Sequence, residues 1–168
     1  WETTPDAALL AAADAGGLDT TEGVDSHARR MLADPRARRA LSTFGEQWLG
    51  VEKVRTMDRA AAYSEDFGPV VREAMLAEEG ATLTYVVFDG SGRLDDVLAG
   101  TEYVQSAALS GFYGLGGDGG LVDAGADGRA GVLGLGAVLA ATAHSDQTSP
   151  VRRGLFVRER LLCHTLGV

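Results

Sequence analysis

Apolar residues recur at helical spacing through most of the chain. The clearest case lies over residues 35–49, where Ala37, Leu41, Phe44 and Trp48 fall at i, i+4, i+7 and i+11 and Gly50 closes the run. Asp34-Pro35 opens this helix, since proline is tolerated in a first turn. Upstream, Pro5-Asp6 introduces a short helix from Ala7 to Ala15, which Gly16-Gly17 ends. Thr20 or Thr21 caps the next helix, whose apolar stripe is Val24, Ala28, Met31 and Leu32.

Residues 51–63 read as a connection. Ser64 is the expected N-cap of a long central helix, with Glu65 and Asp66 suited to the positive end of its dipole. Phe67, Val71, Ala74 or Met75, Glu78 and Thr82 then share one face. Tyr85-Val86-Val87-Phe88 either continues that helix or, being β-branched and aromatic, forms a strand. Asp89-Gly90-Ser91-Gly92 is a turn. Short helices are expected near 93–99 and 102–112. Residues 111–131 are dense in glycine and read as a flexible loop. Val132 to Ala143 is small and apolar, the pattern of a buried helix. Ser149 caps a final helix over 150–164, with Pro150 in its first turn.

Composition narrows the function classes. The net charge is −9, which argues against a general nucleic-acid binder, because such proteins need a positive surface to displace counterions. No apolar run approaches the roughly 20 residues of a membrane span. Among the basic residues Lys53 is the one lysine and the rest are arginine. Cys163 is the one cysteine, so an internal disulfide is excluded. The chain opens at Trp1 and stops at Val168 without a signal-peptide pattern, and it reads as a piece of a larger protein.

Several motifs invite chemistry and fail on spacing. Gly114-Leu115-Gly116-Gly117-Asp118-Gly119 fits G-x-G-x-x-G, but a dinucleotide fingerprint needs a strand before it and a helix directly after. Here a helix precedes and more loop follows. Asp118, Asp123 and Asp127 do not have EF-hand spacing and lack a closing glutamate. His27, His144 and His164 are far apart, with no zinc pattern, so no metal site is assigned. Cys163-His164 lacks the second cysteine of a haem attachment motif. Arg29, Arg30, Arg36, Arg38 and Arg39 form a basic cluster, which reads as a solvated helix face or as a surface for an anionic partner.

Glu78 stands out because it falls on the apolar stripe of its helix, where an unpaired carboxylate is costly. A buried arginine would offset much of that cost. Arg153, at the start of the final helix, is the candidate partner. An ion pair locking two helices is preferred over a catalytic acid at Glu78.

Phe44-x-x-Gln47-Trp48-Leu49, then Met75-x-x-Glu78, then Tyr113-Gly114 resembles a bacterial domain-of-unknown-function family, number 1592. Thr148-Ser149-Pro150-Val151-x-Arg153-Gly154, followed by the helix to Leu161-Leu162-Cys163, resembles the start of its usual neighbour, number 1588. Members of this pair are large exported proteins of planctomycetes, myxobacteria and relatives, often joined to cytochrome c-like domains. The second domain typically continues into a C-x-x-C-H motif that attaches haem through two thioethers. The resemblance thus implies a periplasmic or extracellular parent carrying haem c, with no cofactor held by this chain. Its implied partners are the rest of the parent chain and a redox partner.

The expected fold is all-α, an irregular multi-helix bundle with a Gly-rich loop. The expected organisation is the end of a preceding helical domain at 1–43, a 1592-like domain at 44–128 and the start of a 1588-like domain at 129–168. The expected role is a helical scaffold or docking segment of a cytochrome-like redox protein. Two rivals stand beside it. One is an oxidative enzyme acting on extracellular polymers, with Glu78 and Arg153 lining a pocket. The other is an interaction module that uses the Arg29–Arg39 face.

Overall fold

The computed structural model describes residues 1–60, 65–115 and 118–164. The chain divides into two compact units, Trp1–Leu41 and Ser42–Val168.

The first unit contains helices α1 (Ala7–Asp14), α2 (Thr21–Leu32) and the opening turns of α3 (Pro35–Leu49). The caps are local and follow the sequence. The Asp6 carboxylate accepts from the Leu9 backbone N–H at 2.9 Å, and the Thr20 hydroxyl accepts from that of Gly23 at 3.1 Å. The Trp1 indole donates to the Met31 carbonyl at 2.8 Å, and the Arg36 guanidinium lies 3.5 Å from the centre of its ring.

The second unit is organised around α4 (Pro69–Thr84). Gly68 is the N-cap of α4, with Pro69 in its first turn. The expected cap, Ser64, lies outside the described residues, and Glu65 and Asp66 sit in a turn before the helix rather than in its first turn. The helix is buried on most sides: Met75, Leu76, Glu78, Glu79, Gly80, Thr82 and Leu83 are all inside. A π-helical turn, Tyr85–Asp89, extends it, so the β-branched run does not become a strand. Around α4 pack strand β1 (Glu102–Ser106) and helices α6 (Ala107–Tyr113) and α7 (Gly136–Ala141). Helix α5 (Leu94–Ala99) precedes β1. Helix α8 (Pro150–Phe156) runs into a π-helical turn at Val157–Leu161, and Ser149 caps it as expected.

The fold is mostly helical but not all-α. Strand β1 pairs antiparallel with β2 (Gly119–Asp123), with Tyr103 opposite Val122 and Gln105 opposite Gly120. The helix expected over 102–112 therefore begins at Ala107, and the Gly-rich stretch contributes a strand. The cause is twofold. Tyr103 and Gln105 are buried, Val104 between them is half-buried, and Glu102 and Ser106 on either side are exposed, a strand's period. Gly119 adopts φ +89°, and a Cβ there would meet the Gln105 carbonyl at 2.7 Å, an approach only glycine allows.

The core of this unit contains Leu49, Val51, Val54, Leu109, Val132, Leu135 and Val138, all at most 2 % exposed. Each full burial of such a side chain contributes about 1.5–3 kcal/mol. The junction expected at 128/129 lies inside this unit.

Candidate functional site

Glu78 and Glu79 are adjacent, and both are buried. Successive helical residues point about 100° apart, so the two carboxyls meet different neighbours. Glu78 faces the segment leading into α7; Glu79 faces α3.

Glu78 sits at the centre of a closed polar cluster. Its Oε1 accepts from Arg129 Nη2 at 2.8 Å. Its Oε2 accepts from the Tyr113 hydroxyl at 2.9 Å and from the Gly136 backbone N–H at 3.2 Å. Arg129 Nε donates to the Gly134 carbonyl at 2.9 Å. The guanidinium lies between two rings, 4.2 Å from the centre of Tyr103 and 4.4 Å from that of Tyr113. Such cation–π contacts strengthen when water is excluded. The Tyr103 hydroxyl donates to the Gly131 carbonyl at 2.9 Å, which closes the far side. Burial pushes the Tyr103 hydroxyl up to about 12 and raises that of Tyr113 further, so both remain proton donors at neutral pH. Two glycines make room: a Cβ at Gly134 would collide with the Tyr103 hydroxyl, and one at Gly136 with that of Tyr113.

The expected partner, Arg153, is not in this cluster. Glu78 pairs instead with Arg129, which follows β2 in the chain. Arg153 lines a neighbouring cavity of about 510 Å³. Tyr113 and Gly136 also line that cavity, and so stand between it and Glu78. Arg153 Nε is shut off from solvent and has no hydrogen-bond partner among the described residues. Arg59, on the same cavity, donates to the carbonyls of Ala140 and His144 and lies 4.8 Å from the Phe67 ring centre.

Among the described residues Glu79 has no hydrogen-bond partner for either carboxyl oxygen. Gly45 of α3 lies so close that a Cβ there would collide with the carboxyl. Burial, and secondarily the charge of Glu46, raises its pKa from 4.5 to about 8, so it is held protonated at neutral pH. Nothing in the helical pattern marked this residue, because it lies one position off the stripe.

The other motif residues occupy two places. Phe44 is exposed and stacks on Trp48 at 5.9 Å, with an interplanar angle of 18°. The Trp48 indole donates to the Arg160 carbonyl at 2.9 Å, and Arg160 Nη1 lies 3.4 Å from the carbonyls of Gln47 and Trp48. This clasp ties the end of α3 to the last helical turns. Thr148 lines the cavity, Ser149 and Pro150 begin α8, and Gly154 is exposed with open space where a Cβ would stand.

In the first unit, Arg29 pairs with Asp25, Arg30 with Asp6 and Arg36 with Asp34. Much of the basic cluster is thereby neutralised locally. Asp34 is held well below the usual carboxylate range by the hydrogen bonds from Arg36. Gly116 and Gly117 of the G-x-G-x-x-G string lie outside the described residues; Gly119 and Gly120 after them are in β2.

Residues 1–115 match the family described as protein of unknown function (DUF1592), designated PSD4, and the chain belongs to that family. Residues 129–168 match the protein of unknown function family DUF1588, designated PSCyt3. No curated protein matches, and no solved structure matches. The Glu78–Arg129 pair joins the two matched segments, as does the Trp48–Arg160 clasp. Covalent haem does not fit the residues of this chain, which supplies one thiol, the exposed Cys163, where a c-type attachment takes two. Among the described residues no group of three or more His, Cys, Asp or Glu side chains is placed to hold a metal ion. No helix among them is long and apolar enough to cross a membrane.

Proposed function

We propose that this chain is a helical scaffold or docking segment of an exported c-type cytochrome-like redox protein, with electron transfer taking place outside its residues. The observation that carries this reading is the closure of the Glu78 cluster. Both Glu78 oxygens are taken, by Arg129, Tyr113 and the Gly136 N–H, while Arg129 Nη1 is left shut in without a partner among the described residues; so enclosed a carboxylate is suited to fixing elements rather than to turning over a substrate. The designation PSCyt3 of the second family lends support from its name.

The reading in which Glu78 and Arg153 line one acid–base pocket has less behind it. The Glu78 side chain is wholly enclosed and does not reach the cavity that Arg153 lines. The interaction-module reading loses force with the ion pairs of Arg29, Arg30 and Arg36.

The test is to produce the natural protein that contains these residues in a host that matures cytochromes c, and to record its optical spectrum. A covalent c-type haem is expected. In the same protein, Arg129→Met should lower the melting temperature and leave the haem spectrum unchanged. Absence of covalent haem, with a control cytochrome matured in parallel, overturns the proposal.

A further inference from the structure

We propose that the cavity beside the Glu78 cluster binds an aromatic monocarboxylate, and that Arg153 recognises its carboxylate. The inference goes beyond the docking role and stands or falls without it.

The cavity measures about 510 Å³, within the range of small-molecule sites. Its walls are mainly apolar and include Phe67, Met75, Phe112 and Leu139. Phe112 is 40 % exposed and meets Tyr113 edge to face at 5.7 Å. The ring is thus partly open on the cavity, and aromatic pairs contribute beyond the area they bury. These walls call for a flat apolar body.

The polar groups select the other end of the ligand. Of the two arginines on the cavity, Arg59 is engaged by two carbonyls and a ring. Among the described residues the Arg153 side chain makes no hydrogen bond or ion pair; its Nε is shut off from solvent and so from the cavity, and the Nη atoms of this partly exposed side chain are the donors a ligand can reach. A carboxylate matches the two Nη atoms of the planar guanidinium, a charge-assisted pair stronger than a neutral one. Asp66 and Asp146 also line the cavity, both exposed. Their charges disfavour ligands carrying several negative charges, so a single carboxylate is preferred over a phosphate. Arg153 is also the charged member of the Thr148–Gly154 motif, and the docking role gives it nothing to do.

The test is calorimetric titration of the 168-residue chain with 2-naphthoate and, separately, with the neutral 2-naphthalenemethanol. Naphthoate should bind, and the alcohol should bind roughly tenfold more weakly or less well still. Arg153→Gln should bring naphthoate down to the level of the alcohol while leaving alcohol binding and the thermal melt unchanged. Leu139→Trp, which fills the cavity, should abolish both. The proposal is overturned if naphthoate does not bind, or if it binds Arg153→Gln as well as it binds the parent chain. Should Arg153→Gln not fold, undiminished naphthoate binding by Leu139→Trp overturns it equally.

Discussion

The carboxylate of Glu78 and the guanidinium of Arg129 meet at 2.8 Å across 51 residues of chain, with the Glu78 side chain wholly buried and that of Arg129 13 % exposed. Each charge is tolerable inside only because the other is there. Removing one partner strands the other in a medium that solvates it poorly. Glu78→Met and Arg129→Met should each destabilise the chain by roughly 3–5 kcal/mol. The double Met variant should lose less than the sum of the two. Urea unfolding monitored by circular dichroism, run as a double-mutant cycle, measures this; strict additivity would show that the pair is not coupled.

Glu79 gives a pH dependence of defined sign. Its folded-state pKa of about 8 lies above the ordinary 4.5. The folded chain therefore holds a proton that the unfolded chain releases. Stability from this group is fully present below about pH 4.5, falls as pH rises, and is lost by about pH 8. Glu79→Gln should flatten the stability profile between these limits. Near pH 8 it should be more stable than the parent, by on the order of 1–3 kcal/mol. Unfolding midpoints taken from pH 5 to pH 9 decide it.

Gly136 tests the packing of the same region. A methyl group there collides with the Tyr113 hydroxyl and approaches Met75 Cγ at 3.1 Å. Gly136→Ala should cost about 1–3 kcal/mol through overpacking. Combining it with Tyr113→Phe removes the colliding oxygen and should recover part of the loss, although Phe also gives up the hydrogen bond to Glu78. Melting temperatures of the two single variants and the double variant provide the comparison.

The Trp48 indole and the Arg160 carbonyl define the clasp at the chain's far end. Trp48→Phe keeps a ring for Phe44 to stack on and removes the donor. A loss of about 1 kcal/mol is expected. Amide exchange should accelerate over Val157–Leu161 more than over α4; uniform acceleration would argue against a local clasp.

Three helix starts were legible because side-chain caps are local chemistry: Asp6, Thr20 and Ser149 act within three residues of themselves, whereas α4 starts at Gly68 with no side-chain cap to read. The burial of Glu78 was legible too, since periodicity reports which face turns inward. Its partner was not, because periodicity says nothing about what covers that face. Arg129 is the one arginine among the glycines and aspartates of 111–131, and this isolation was the available signal. The β1–β2 pairing escaped for a different reason. Gly119 and Gly120 adopt positive φ and carry no side chain, so that half of the ladder leaves little apolar trace. Glu79 was missed because a small residue on another helix, Gly45, makes its burial possible.

The pairing of Glu78 with Arg129 also bears on inheritance. One partner belongs to the segment matching DUF1592 and the other to the segment matching DUF1588. A recombination event that exchanged one segment alone would transplant half a core, with a lone ion at the cut face. The two stretches are therefore expected to travel through genomes together, as a single unit of selection under two family names.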